Sequence, residues 1–188
     1  MEALYYVLLG SALMLVLGFL RARYFDFSAQ MPTDYSNAPG EALDLREHLN
    51  GPITCEGVIY GPTGRVASRF VAEFDAKWEG NRGHMKESFL YDNGSTQERE
   101  WNLTIGNDGR VVATAPDVVG EGAGVLGGPA LQLRYRLRLP EDSGGHVVDA
   151  VDWMYLAPNG TIVNRSQFRK FGIKVAELVA TMRRKEAS

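Results

Sequence analysis

The strongest constraint in this 188-residue chain is a period of two. In LQLRYRLRLP, Leu131, Leu133, Tyr135, Leu137 and Leu139 occupy every second position, with Gln132, Arg134, Arg136 and Arg138 between them. Strand side chains alternate between faces, so the segment has one apolar and one cationic face. The leucine row is expected to point inward and the arginines to form an outer stripe. The period recurs at 66–78, where Val66, Phe70, Ala72, Phe74, Ala76 and Trp78 share a face. It recurs again at 96–105, where Trp101, Leu103 and Ile105 oppose Glu98, Glu100 and Asn102. Further strands are expected near 53–60, 84–91, 110–115, 117–126, 146–157 and 160–170, separated by turn signals such as Gly61-Pro62-Thr63-Gly64, Asp92-Asn93-Gly94 and Pro158-Asn159-Gly160. Short connections between alternating strands mean antiparallel hairpins. About nine or ten strands without a helical pattern between them make an all-β meander, closed as a barrel or folded as a sandwich. Closure removes edge strands and is the expectation. The C-terminal IKVAELVATMRRK fits a helix through Val175, Leu178, Val179 and Met182, and a strand through Ile173, Val175 and Val179; periodicity alone leaves both open.

The N-terminus obeys a different rule. Residues 3–20, ALYYVLLGSALMLVLGFL, carry no charge, and a single helix needs roughly 20 apolar residues to cross a bilayer. Arg21 and Arg23 end the run, and Tyr24, Phe25 and Phe27 suit an interface. A cleaved signal peptide needs a basic n-region and a small-x-small site. Here Glu2 stands in the n-region and Phe27 occupies the best candidate site, so an uncleaved single-pass anchor is expected. The excess of positive charge after the span places the following domain in the cytoplasm. Residues 24–42 hold two prolines and no periodicity, which reads as a linker. Leu43 to Leu49 reads as a helical turn before a break at Asn50-Gly51-Pro52. The organisation expected is an anchor at 1–23, a linker at 24–42 and a barrel domain at 43–188.

Chemical motifs are sparse. The net charge of −3 argues against nucleic acid as a partner. The single cysteine, Cys55, allows no intramolecular disulfide, and His48, His84 and His146 lack metal-ligand spacing; no metal and no cofactor is expected. GAGVLG at 122–127 matches a dinucleotide fingerprint, but Gly128-Pro129 and another strand follow it, so no helix begins there to hold a phosphate. A hairpin whose glycines let neighbouring backbone pass closely is the better account. Asp142-Ser143-Gly144-Gly145-His146 reads as a polar turn, since chain neighbours do not form a triad. The N-x-S/T matches at Asn93, Asn102, Asn159 and Asn164 suggest surface turns. Asp117, Glu121, Asp149 and Asp152 lie among apolar residues, and any that faces inward needs a partner, arginine being the natural one.

Several segments together resemble a family. DVVGEGAG, GGPALQLRYRLRLP, DAVDWMYL and NRSQFRKFGIKV, with LDLREHLNGPI, GRVASRF and YDNGSTQEREWNL, are similar to a bacterial family known as domain of unknown function 3833, many of whose members are lipoproteins. The resemblance spans residues 41 to about 179 and implies by fold-level analogy a lipocalin-like barrel, an envelope location and a lipid-related setting. It also implies a last barrel strand at 173–183, and a domain facing the periplasm from the inner membrane rather than the cytoplasm. The lipoprotein members carry a cysteine after the signal segment, whereas residues 17–21 here are Leu-Gly-Phe-Leu-Arg, so the apolar span replaces the lipid as anchor. No catalytic residue carries over. The expected function is a membrane-anchored barrel binding a fatty acyl or other apolar ligand, with Phe70, Phe74, Trp78, Trp101, Tyr135, Glu121, Asp152 and Trp153 as lumen candidates. The alternatives are a filled barrel acting as an assembly partner, and an enzyme on lipids using Glu121, Asp149 or Asp152.

Overall fold

The computed structural model describes residues 2–25, 27–141 and 144–185. Its architecture follows from the alternating pattern. Ten strands, β1 (Gly51–Tyr60), β2 (Val66–Glu79), β3 (Arg82–Tyr91), β4 (Thr96–Ile105), β5 (Arg110–Thr114), β6 (Gly122–Gly127), β7 (Ala130–Arg138), β8 (Val147–Leu156), β9 (Ile162–Lys170) and β10 (Ile173–Arg184), form one closed antiparallel barrel. Each strand pairs with the next, and β10 closes on β1 with Cys55 opposite Met182 and Ile59 opposite Leu178. Closure satisfies both edges, so none of these ten strands is left to template aggregation. The C-terminal segment is therefore a strand. The expected strand at 117–126 starts only at Gly122: Asp117 to Glu121 form a loop touching the sheet through a single Val118–Leu137 bridge.

The inward rows are those of the alternation. Leu131, Leu133 and Tyr135 are buried in the main core with Phe70, Phe74, Trp101, Val111 and Ala150, while Arg134, Arg136 and Arg138 are exposed. One end of the barrel is shut. The single-turn helix α2 (Leu45–His48), capped by the Asp44 side chain on the Arg46 N–H, lays Leu45 and Leu49 into the core beside Ile53 and Met182. Trp78 seals this end by donating its indole N–H to the Leu49 carbonyl at 2.7 Å.

Residues 27–43 do not hang free. They form a strap over the outer faces of β6, β7 and β8, where Phe27 and Tyr35 pack with Ala130, Trp153 and Tyr155. The Gln30 side-chain oxygen accepts from the Tyr35 and Tyr155 hydroxyls, and the Leu43 N–H donates to the Gly128 carbonyl. The strap needs glycine beneath it. A Cβ on Gly127 would lie 2.2 Å from the Pro32 carbonyl oxygen, and one on Gly128, whose φ is +53°, would lie 2.2 Å from that of Tyr35. The glycine-rich turn thus admits backbone closely, as its sequence suggested.

Helix α1 (Glu2–Tyr24) is long and apolar enough to span a membrane, and its described side chains are exposed. Phe27, expected at an interface, is instead buried against the barrel with the Arg165 guanidinium 4.9 Å over its ring. The glycosylation-like matches divide. Asn93 and Asn159 sit in turns, Asn102 is exposed on β4, and Asn164 is buried on β9 with its amide donating to the Trp153 carbonyl. Asp142 and Ser143 of the proposed polar turn lie outside the described residues.

Candidate ligand-binding lumen

The lumen has a narrow inner part and a wide mouth. The inner cavity has a volume of about 110 Å³ and is walled by Phe70, Phe74, Met85, Trp101, Leu133 and Tyr135 among others. At the end opposite α2, a space of about 700 Å³ opens among Ile59, Tyr91, Leu137, Val148 and Val175. The two spaces share Phe70, Phe89, Arg99, Phe168 and Leu178, so they adjoin along the lumen. Aromatic rings dominate one wall: Phe70 meets Phe89 edge-on at 5.4 Å, and Phe89 stacks on Tyr91 at 6.2 Å.

A polar group interrupts this apolar wall. On β3 the inward row is Met85, Glu87, Phe89 and Tyr91; on β4 it is Arg99, Trp101 and Leu103. The pairing sets Glu87 opposite Arg99, with Nη1 of Arg99 3.7 Å from Oε2 of Glu87. Arg99 turns its hydrogen bonds to Asp117, Nε at 2.7 Å and Nη2 at 3.1 Å, and its guanidinium lies 4.9 Å from the Trp101 ring centre. Across the lumen the Tyr135 hydroxyl donates to Oδ2 of Asp152 at 2.9 Å. Ser166 donates to Oδ1 of Asn164 at 3.2 Å on the adjoining strand. Among the described residues no group of histidine, cysteine and carboxylate side chains is arranged to hold a metal ion.

Burial controls the electrostatics here. Glu87 is only 5% exposed, and desolvation pushes its carboxyl up to about 7 against the opposing pull of Arg99 and the Trp101 N–H. Burial likewise raises Asp152, opposed by Ser166, Tyr135 and Arg99. It also raises the Tyr135 hydroxyl, reinforced by Asp152. Cys55 faces the same cavity, and burial, with Glu87 and Glu56 adding, pushes its thiol up to about 12. A thiol without accessible thiolate is inert. Cys55 is expected to react with a water-soluble aromatic disulfide at least about tenfold more slowly in the folded chain than in guanidinium. Equal rates would show that the lumen admits the reagent.

The sequence candidates fall into three places. Phe70, Phe74, Trp101, Tyr135 and Asp152 line the inner cavity. Trp78 sits at the closed end on Leu49. Glu121 is exposed on the loop before β6, and Trp153 is fully buried on the outer face under the strap; neither reaches the lumen. Trp153 follows Asp152 on one strand, so the two cannot share a face. Asp149 also points outward and is exposed. Glu87 and Arg99 were not singled out from sequence, although each stands in the parity of its inward neighbours, Met85 and Trp101.

The family follows from comparison. The model of the family described as "Protein of unknown function (DUF3833)" matches residues 23–184. The chain belongs to this family. The match includes the strap, which agrees with its packing as part of the barrel. No curated protein matches the sequence. Among solved structures, the S-type phycobiliprotein lyase CPES from Guillardia theta is similar at a TM-score of 0.57 and 8% identity, over 77% of this chain and 92% of that one. Rv2717c from M. tuberculosis is similar at 0.54 and 16% identity, over 78% and 100%. A protein of unknown function of the DUF3598 family from Nostoc punctiforme is similar at 0.54 and 13% identity, over 80% of this chain and 53% of that one. These likenesses establish a shared lipocalin-like barrel fold.

Proposed function

We propose that this DUF3833 protein is a membrane-anchored binding barrel that takes an apolar, lipid-like molecule into its lumen. The carrying observation is the space of about 700 Å³ at the mouth, which adjoins the apolar inner cavity and has a volume within the range of small-molecule sites. A lipocalin-like fold used for ligand binding in general supports the reading; the name of the lyase neighbour, at 8% identity, adds nothing about the ligand.

The membrane part rests on two features. One is α1, which we read as an uncleaved span in a bacterial inner membrane; the family resemblance favours the periplasmic side for the barrel. The other is the β9–β10 hairpin at the rim of the mouth. Its turn places Phe171 at φ +51°, a conformation bulky residues avoid, and leaves it 90% exposed beside an exposed Ile173. Lys170, which also donates to the Val147 carbonyl, lies 5.1 Å from the Phe171 ring centre, and Lys174, paired with Glu177 at 2.6 Å, follows. An apolar tip flanked by cations suits a headgroup layer. Strained, exposed aromatic positions persist where function demands them.

The test fills the lumen. The full chain in phosphatidylcholine nanodiscs is titrated with an uncharged fluorescent alkyl probe, beside Leu137→Trp, at a residue lining the wide space, and the outward control Arg136→Ala. The lumen variant is expected to weaken probe binding at least about tenfold, because overpacking leaves no room for a chain, while Arg136→Ala matches the parent. Equal binding by all three overturns the reading. It would favour a barrel that serves as an assembly partner, which the small inner volume of about 110 Å³ would suit.

A further inference from the structure

We infer that the inner end of the lumen is a head-group subsite for a ligand that donates hydrogen bonds, a long-chain alcohol or amine, and that it rejects a free carboxylate. This rests on the lumen-binding reading above and deepens it. The first observation is a pair of under-satisfied acceptors. Oε2 of Glu87 and Oδ1 of Asp152 are buried without a hydrogen bond of ordinary length, Oε2 facing Nη1 of Arg99 at 3.7 Å and Asp152 having beside it the Ser166 hydroxyl, which is turned to Asn164; the two residues are only 5% and 8% exposed, and both line the inner cavity. Buried carboxyl oxygens are normally satisfied, because leaving one unmade is costly. Two facing one cavity mark the place where a donor is expected.

The second observation is the balance of charge. Among the described residues Arg99 is the sole cation lining the inner cavity, against the carboxyls of Glu87 and Asp152. Its Nε and one Nη are already committed to Asp117. An incoming carboxylate would meet two carboxyl groups and a guanidinium turned toward a third. A hydroxyl or ammonium would meet two acceptors. An ammonium brings three donors and is held further by carboxylate charge in a desolvated site.

The third observation is size. A cavity of about 110 Å³ holds a small polar group or a few waters, each taking about 30 Å³, and has no room for an alkyl chain. The chain would lie in the wider space above, against Tyr91, Leu137, Val148 and Leu178. The ligand is thus oriented head inward and tail toward the mouth, with Phe70 and Phe89 at the junction.

The experiment is a head-group series at constant chain length. The full chain in phosphatidylcholine nanodiscs is titrated calorimetrically at about pH 8 with dodecanol, dodecylamine and dodecanoate, with empty nanodiscs subtracted. The alcohol and the amine are expected to bind at least about tenfold more tightly than the acid. Glu87→Gln with Asp152→Asn, which keep shape but turn acceptors partly into donors, are expected to bring the three ligands within about threefold of each other. Dodecanoate binding as tightly as the amine to the parent chain overturns the subsite while leaving lumen binding intact. Absence of binding by all three overturns the lumen reading itself. If the double variant does not fold, the series on the parent chain still decides.

Discussion

Replacing Trp153 by alanine is expected to destabilise the barrel by about 3–5 kcal/mol, the range for emptying a large aromatic site. Trp153 is fully buried, stacked parallel to Tyr155 at 5.8 Å and met edge-on by Tyr35 at 5.3 Å. Alanine would remove the residue against which Phe27 and Tyr35 seat, so the strap would lose its purchase on β8. In a domain of this size each kcal/mol moves the melting temperature by about 2–4 °C, so a fall of about 10 °C is expected in a thermal melt. Limited proteolysis should cut the variant within 30–42 before it cuts the barrel, because a detached strap becomes exposed backbone. Trp153→Phe gives the contrast. The indole N–H of Trp153 is buried without a partner, so phenylalanine loses area but also removes an unsatisfied donor; a cost below about 1.5 kcal/mol is expected. A loss under about 1 kcal/mol for Trp153→Ala, with no new cleavage, would show that 24–42 is a tether and that its packing contributes nothing.

The barrel was legible because period two is a direct image of its pleat. LQLRYRLRLP placed Leu131, Leu133 and Tyr135 inside and the arginines outside, and the turn signals set most strand limits within a few residues. Two kinds of information were not in that signal. One was the strap, whose residues have no periodicity because they pack as an irregular cover. Its imprint lay elsewhere, in Trp153 and Tyr155 on the outward parity of β8 and in Gly127-Gly128. Reading Asp152 and Trp153 as joint lumen residues overlooked that adjacent positions on a strand point apart. The other was the polar group of the lumen. Glu87 and Arg99 are charged residues at inward parity, and such positions look like surface until the partner strand is known. The pairing of Glu87 with Arg99 across β3 and β4 is a product of register, and register depends on turn geometry as well as pattern. Asp117 was legible only as an acid in need of an arginine. That its partner is Arg99, 18 residues away, goes with the late start of β6 at Gly122, which leaves residues 117–121 as a loop that sets Asp117 at the mouth.

Arg99→Met is expected to cost about 3–5 kcal/mol at about pH 8, the range for leaving one member of a buried ion pair alone, and markedly less at about pH 5. The sign follows from Glu87. Its carboxyl stands at about 7 against an ordinary 4.5, so the folded state holds the proton more tightly than the unfolded chain. A group raised in this way contributes stability that is complete below about 4.5 and is lost as pH rises through about 7. Arg99 limits that loss by attracting the carboxylate, while Asp117 and Asp152 add to it; Tyr91, Tyr135 and Cys55 also feel Glu87. Methionine fills much of the arginine volume but supplies no charge, so Glu87 would be raised further and the carboxylate form would become the costly one. At about pH 5 Glu87 is protonated in the native state with or without Arg99, and the difference between variant and parent narrows to lost packing on Trp101 and lost hydrogen bonds to Asp117, which is partly exposed and can hydrate. Urea unfolding at the two pH values measures the gap directly. Glu87→Gln added to Arg99→Met should remove its pH dependence, because no ionisable group then remains at position 87. A gap of equal size at both values, or one that persists in the double variant, would mean that Arg99 acts through Asp117 and that Glu87 is stable in the lumen without it.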